Sequence, residues 1–242
     1  SSYTDFIEAI RPVSNEIIEQ DTDFYRFEKT AHRKYGDNMA FNMRGLTNST
    51  STLNADTIKF LANLGYASRS HWSKYLGGNP VSDSLLGIRY IIANAGDNLD
   101  LYYDLTDIEP TTYKNKEYST YYNHYALSLA YAVNDLVTDF KMTNYTSPMF
   151  RLNDLVTAMT GSEEHLDIFK TISFTVNTSN CNEGTQGAYF KYTPASPDSN
   201  ANVTYTFSPT QDGEVFFFLP CDQYGREVKL TLSGIVNGKR EN

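Results

Sequence analysis

Helical periodicity runs through the first two thirds of this chain and stops near residue 165, which restricts the fold more than any single motif does. Upstream, Phe6, Ile10, Val13 and Ile17 recur at helical spacing over residues 5–20, with Pro12 as a kink or boundary. Asn54 can cap a helix over 54–64 whose stripe is Ile58, Leu61 and Ala62 and whose stop is Gly65. Residues 134–140 and 148–159 read as two further helices, the second with Pro148 in its first turn and Gly161 just beyond. Strand patterns interleave at 24–28, 39–44, 86–93, 113–117 and 126–133. Downstream, only strand-like runs remain, at 169–176, 188–194, 202–208, 213–219 and 227–233. Asp212-Gly213, Tyr224-Gly225 and Asn237-Gly238 supply turns there. The expected fold is α+β: a mixed α/β domain over 1–165, then a β-sandwich domain over 166–242.

Charge excludes some partners. The net charge is −9, with −7 on residues 1–165 and −2 on the remainder. Nucleic acid needs a basic footprint that releases counterions, so it is not an expected partner. Electrostatic docking on an anionic membrane is disfavoured for the same reason. No apolar run approaches the roughly 18–20 residues that span a bilayer, and no leader-like segment opens the chain. The side chains are unusual: 19 Tyr, 14 Phe and one Trp in an Asn-, Ser- and Thr-rich background. Aromatic faces beside amides and hydroxyls suit sugar rings, although the same residues also make an ordinary low-charge surface.

Local motifs for chemistry are scarce. The sequence has no GxSxG, Walker, GxGxxG or HExxH signature, and its four histidines (His32, His71, His124 and His165) lack metal-ligand spacing. Neither a metal nor a cofactor is expected. Asp97, Asn98 and Asp100 lack the order of a calcium loop and read as an exposed turn. Asp21, Asp23 and Glu28 offer paired carboxylates, a signal too common to identify glycosyl chemistry. Asn-x-Ser/Thr triplets at Asn48, Asn144, Asn177 and Asn202 occur at near-chance frequency for this composition. Cys181, in a polar stretch read as a loop, and Cys221 lie forty positions apart outside any zinc spacing. Unpaired thiols are favoured, and a disulfide stays open.

Four stretches are more specific. Phe24-Tyr25-Arg26 is followed by Leu53-Asn54 leading into Ile58 and Gly65, then by Asp83-Ser84-Leu85-Leu86-Gly87-Ile88-Arg89-Tyr90-Ile91-Ile92. The last is Tyr122-Asn123-His124-Tyr125-Ala126-Leu127-Ser128-Leu129-Ala130-Tyr131. In this order, over roughly residues 20–160, they resemble the extracytoplasmic region of bacterial YfhO-type membrane proteins. His124 and Ser128 stand where that family tends to have Pro. The β-rich tail matches only in kind.

The resemblance implies the soluble, extracytoplasmic part of a multi-pass protein similar to lipid-linked-sugar glycosyltransferases, which decorate cell-wall polymers such as teichoic acid. Catalytic acids in such enzymes lie between early membrane helices, so no catalytic residue is carried over, and the expected partners are the transmembrane remainder of the chain and a wall glycopolymer. A free-standing carbohydrate-binding or adhesive surface protein is the alternative. The candidate sugar-binding residues are Tyr66, His71, Trp72 and Tyr75, in a Ser-rich stretch between helix and strand, together with Arg26. An aromatic platform there would stack on a sugar or pack as a lid on the core. Arg26 either pairs with an acid or projects into a cleft. Asp83 is expected to cap or close a turn, Gly87 to permit a bulge or close approach, and Asn123 to order the turn before a strand.

Overall fold

The computed structural model describes residues 2–97, 99, 101–142, 147–186, 189–196, 198–210, 213–218, 234–236 and 239–241. The chain runs α1 (Tyr3–Gln20), β1 (Arg26–Lys29), α2 (Asp37–Ala40), β2 (Asn48–Ser49), α3 (Ala55–Asn63), β3 (Ala67–Arg69), β4 (Trp72–Lys74), α4 (Pro80–Leu85) and β5 (Ile88–Asn94). It continues through β6 (Asp104–Leu105), β7 (Thr111–Tyr113), β8 (Lys116–Tyr122), α5 (Pro148–Thr160), β9 (Phe174–Ser179), β10 (Cys181–Gln186), β11 (Tyr189–Pro194), β12 (Asn202–Phe207), β13 (Gly234–Val236) and β14 (Lys239–Glu241). The class is α+β, as expected.

A mixed sheet organises the first part. β5 lies at its centre, parallel to β1 on one side and antiparallel to β8 on the other, and β8 also pairs β6 and β7. Two cores cover its faces. On one, α1 presents Phe6, Ile10, Val13 and Ile17 to Phe27, Ile92, Tyr113 and Tyr118. On the other, Leu61 and Leu64 of the α3 region and Leu152 of α5 pack on Ile88, Ile91 and Tyr121. Each fully buried aliphatic or Phe side chain here contributes about 1.5–3 kcal/mol. A register shift pairs Arg26 with Ile88 but Phe27 with Tyr90, so Arg89 is the extra residue of a bulge. That bulge puts Ile88 and Ile91, three apart, in the same core.

Several sequence expectations need correction. α1 passes through Pro12 without ending: Pro12 lies on the exposed face, and the Glu8 carbonyl it leaves unbonded is on that same wet side. Residues 39–44 form no strand. Phe41 and Met43 are buried in alternation, but Asn42 takes a left-handed φ of 54° after the single turn of α2. The 113–117 signal is the turn of a hairpin, β7 to β8, in which Lys114 and Asn115 both have positive φ. Residues 126–133 have strand alternation but no strand partner among the described residues, and 134–140 holds only a 3-10 turn, Asp135–Thr138. Past residue 165 the first strand begins at Phe174 and not at 169, Cys181 opens a strand instead of lying in a loop, and the described residues of 213–219 are not a strand. The expected strand at 227–233 lies outside the described residues. The described tail strands pair as three antiparallel ribbons: β9 with β12, β10 with β11, and β13 with β14.

Candidate functional site

Of the residues expected to stack on a sugar, Tyr66 and Tyr75 lie inside the protein. Both donate their hydroxyls to Asp83, Tyr66 to Oδ1 at 2.6 Å and Tyr75 to Oδ2 at 2.8 Å. Tyr103 adds a third bond, to Oδ2 at 2.7 Å. Asn79, not Asp83, caps α4, with Pro80 in its first turn. Asp83 projects from that helix into the second core and is fully enclosed. Burial raises its carboxyl to about 6, against the lowering pull of the three phenols. Gly78 makes room: a Cβ there would sit 2.9 Å from Asp83 Oδ1 and 3.0 Å from the Tyr66 ring.

The other candidates remain at the surface. β3 and β4 form a hairpin whose tip, Ser70-His71, is exposed, with Ser70 at φ 50°. Trp72, paired to Arg69 and Ser49 across the small β2-β4-β3 sheet, stacks on Tyr35 with ring centres 4.8 Å apart and planes 24° apart. Arg26 starts β1, and its guanidinium donates to the Leu86 carbonyl at 2.7 Å while its amide donates to Gly87. Gly87 has φ 64°, and a Cβ there would lie 2.7 Å from the Leu127 carbonyl, so close approach is the reason for this glycine. Asn123 donates to the Ile88 carbonyl at 3.0 Å and accepts from the Tyr125 amide, ordering the turn that follows β8.

An open cleft of about 390 Å³ lies between the end of α1, the start of β1 and the 42–44 loop. Asn15, Glu19, Asp23, Asn42 and Arg44 bring amide, carboxylate and guanidinium groups to a floor that includes Tyr25 and Phe27. Arg44 lies 4.8 Å over the exposed Phe24 ring and donates to the Asp23 carbonyl. Arg89, the bulge residue, braces the rim by bonding Asp21 at 2.8 Å and Asp23 at 3.1 Å. Burial pulls Asp21 upward, but Arg89, the Asp23 amide and the Tyr90 hydroxyl outweigh it and hold the carboxyl below its ordinary value. Asp21 and Asp23 are visible in the sequence as neighbouring acids, whereas nothing there marks Asn15, and the strand-like alternation of 39–44 conceals the turn at Asn42 that brings Asn42 and Arg44 in.

Glu28 is not a partner for those two acids. It is fully buried and accepts from the amides of Leu46 and Thr47, from Asn38 Nδ2 and from Thr47 Oγ1. Neighbouring Lys29 is also fully buried, with its ammonium 2.5 Å from Asn38 Oδ1 and its pKa lowered chiefly by desolvation. His32 contacts the Tyr75 carbonyl at 3.2 Å and is pushed down to about 4, first by burial and then by Lys29 and Lys74. His124 pairs with Asp104, and His165 with Asp154 and Asp167. Among the described residues no group of three or more His, Cys, Asp or Glu is placed to hold a metal. Among the described residues Cys181 has no disulfide partner; its expected pairing status with Cys221 lies outside the described residues.

No helix of the described residues is long and apolar enough to cross a membrane. The sequence model of the family described as bacterial membrane protein YfhO matches residues 1–242. No curated protein and no solved structure matches the chain.

Proposed function

The chain belongs to the YfhO family of bacterial membrane proteins, and on that premise we propose that it is an extracytoplasmic region that positions a cell-wall glycopolymer acceptor, such as teichoic acid, for a glycosyltransferase centre located elsewhere. The cleft between α1, β1 and the 42–44 loop carries this reading. Its mixture of amides, carboxylates and one guanidinium over an aromatic floor is the chemistry that reads hydroxyl edges and C–H faces, and its volume suits one or two sugar units. Glu19, Asp21 and Asp23 face Arg44 and Arg89, leaving the local balance acidic, as in the chain as a whole. Recognition is therefore through sugar hydroxyls, and a polymer phosphate is approached only with a bridging divalent cation.

The Trp72–Tyr35 stack with exposed His71 is a second contact for the same polymer, whereas the Arg26 side chain is committed to the Leu86 carbonyl. We place the division into 1–165 and 166–242 on the same footing. The tail ribbons close as a β-sandwich, supported by the Tyr192–Tyr205 ring contact that links β11 to β12 at 6.5 Å. The region by itself does not transfer sugar.

Calorimetric titration of the 242-residue chain with glycosylated teichoic-acid fragments tests this reading. Saturable binding without turnover of a polyprenyl-phosphate sugar is expected. Absence of saturable binding at millimolar fragment overturns the acceptor role, and robust turnover overturns the non-catalytic one.

A further inference from the structure

The stretch from Tyr125 to Asn134 contains no charged residue in a chain of net charge −9. Tyr125, Leu127, Leu129, Tyr131 and Val133 alternate along it, and all five are exposed, Tyr125 at 69% and Leu129 at 58%. Its ends are tied down. Leu127 donates its amide to the Ser84 carbonyl at 2.9 Å, Asn134 donates to Met159 at 2.8 Å, and the Tyr131 hydroxyl donates to Leu85 at 3.2 Å. Among the described residues no strand pairs with it. Beside it lies an apolar groove of about 240 Å³ walled by Phe60, Leu85, Leu86, Tyr131, Val133 and Leu155, and Leu136 adds a further side chain 52% exposed. A contiguous apolar surface of this kind on a soluble domain marks an interaction face.

We propose that this strap is where the region rests on the lipid bilayer. Membership of a membrane-protein family puts a bilayer within reach of the fold. The strap offers an uncharged apolar ridge with tyrosines toward both ends, the composition that partitions at the boundary between headgroups and acyl chains. An acidic protein gains nothing by charge at an anionic leaflet, so attachment is by insertion of Leu127, Leu129 and their neighbours. The tethered ends hold the ridge in place and limit the ordering cost on contact.

Flotation of the 242-residue chain with neutral phosphatidylcholine vesicles tests this. The chain co-floats, and Leu129→Glu weakens its partitioning by at least about tenfold while circular dichroism stays unchanged. Met39→Glu, at a site 80% exposed on α2, leaves partitioning unchanged. Leu129→Trp in a Trp72→Phe background keeps the ridge apolar, and its emission moves to shorter wavelength when vesicles are added. The proposal is overturned if the chain stays with the soluble fraction, if Leu129→Glu floats as the parent does, or if the reporter emission does not move. It is equally overturned if the chain sediments as a dimer that Leu129→Glu converts to monomer, since the strap then covers a second copy. Sugar binding in the cleft is measured without vesicles, so failure of either experiment leaves the other reading standing.

Discussion

The hydroxyl of Tyr103 donates to Oδ2 of Asp83 at 2.7 Å, joining a loop after β5 to helix α4 across twenty residues. With Tyr66 and Tyr75 it leaves the enclosed carboxyl three phenol donors. Tyr103→Phe removes one bond to a partly ionised acceptor and is expected to cost about 1.5–3 kcal/mol in urea unfolding. Asp83→Ala strands all three phenols and opens a void, so its expected cost is larger, about 3–5 kcal/mol. If Asp83→Ala were the milder change, the cluster would not be a binding element of this core.

Two buried groups make opposite contributions to the pH dependence of stability. Asp83 has a folded value of about 6 against an ordinary 3.8, so the folded state holds the extra proton and stability falls as pH rises through that window. His32 has a folded value of about 4 against 6.5, so the unfolded state takes the proton and stability falls as pH drops from 6.5 to 4. Each contribution is about 3 kcal/mol, and they largely cancel in the parent. Asp83→Asn leaves the His32 slope exposed, so that variant loses stability, relative to the parent, as pH falls from 6.5 toward 4. His32→Asn shows the opposite relative slope between pH 4 and 6. Urea midpoints at half-unit pH steps read both, and parallel profiles for all three proteins would refute the assignment.

Gly87 connects α4 to β5 with φ 64°, and the Leu127 carbonyl occupies the space a side chain would need. Gly87→Ala therefore combines a left-handed penalty of about 1 kcal/mol with a backbone clash, for an expected total of about 2–4 kcal/mol. Gly36 has open space and no positive φ, so Gly36→Ala is expected within about 0.5 kcal/mol of the parent. Thermal unfolding of the pair separates steric demand from the general effect of losing a glycine.

The helices α1, α3 and α5 are readable for different reasons: α1 by its apolar stripe, α3 by a stripe with the Asn54 cap and Gly65 beyond, and α5 by Pro148 in its first turn and Gly161, which ends it at φ 67°. The Asn79-Pro80 pair carries a start signal for α4, but a helix of six residues is too short to show an apolar stripe before the β5 run begins. Alternation misled where burial and hydrogen bonding part company. Phe41 and Met43 alternate inward around a left-handed Asn42, and the alternating residue types of 125–133 are exposed throughout 127–133 with no ladder among the described residues. The site was harder. No spacing pattern marks Tyr66 and Tyr75 as donors to a buried carboxyl, since Asp83 reads as a turn residue and the third donor, Tyr103, comes from a separate loop. Arg44 reaches the cleft only because the 39–44 segment turns, which its residue pattern conceals.

The cleft and the Trp72–Tyr35 stack make separable claims on a glycan. Arg44 is exposed, packs its guanidinium on Phe24 and donates a single long bond of 3.4 Å to the Asp23 carbonyl, so Arg44→Ala is expected to change stability by less than about 1 kcal/mol. If the cleft seats the sugar, the same variant loses a charge-assisted donor to a hydroxyl and weakens fragment binding about 10- to 100-fold. Trp72 is half-buried on an exposed stack, and Trp72→Ala removes the ring face while keeping the β4 backbone pairing. A loss of about 5- to 10-fold is expected from that change, as for one stacking contact. The protein has one tryptophan, so fragment binding to the parent also shifts its emission if the stack is covered. Titrations of the parent and both variants decide between the two surfaces: weakening by Arg44→Ala alone, with silent tryptophan emission, confines recognition to the cleft. Unchanged affinity in both variants would remove both surfaces from the glycan reading.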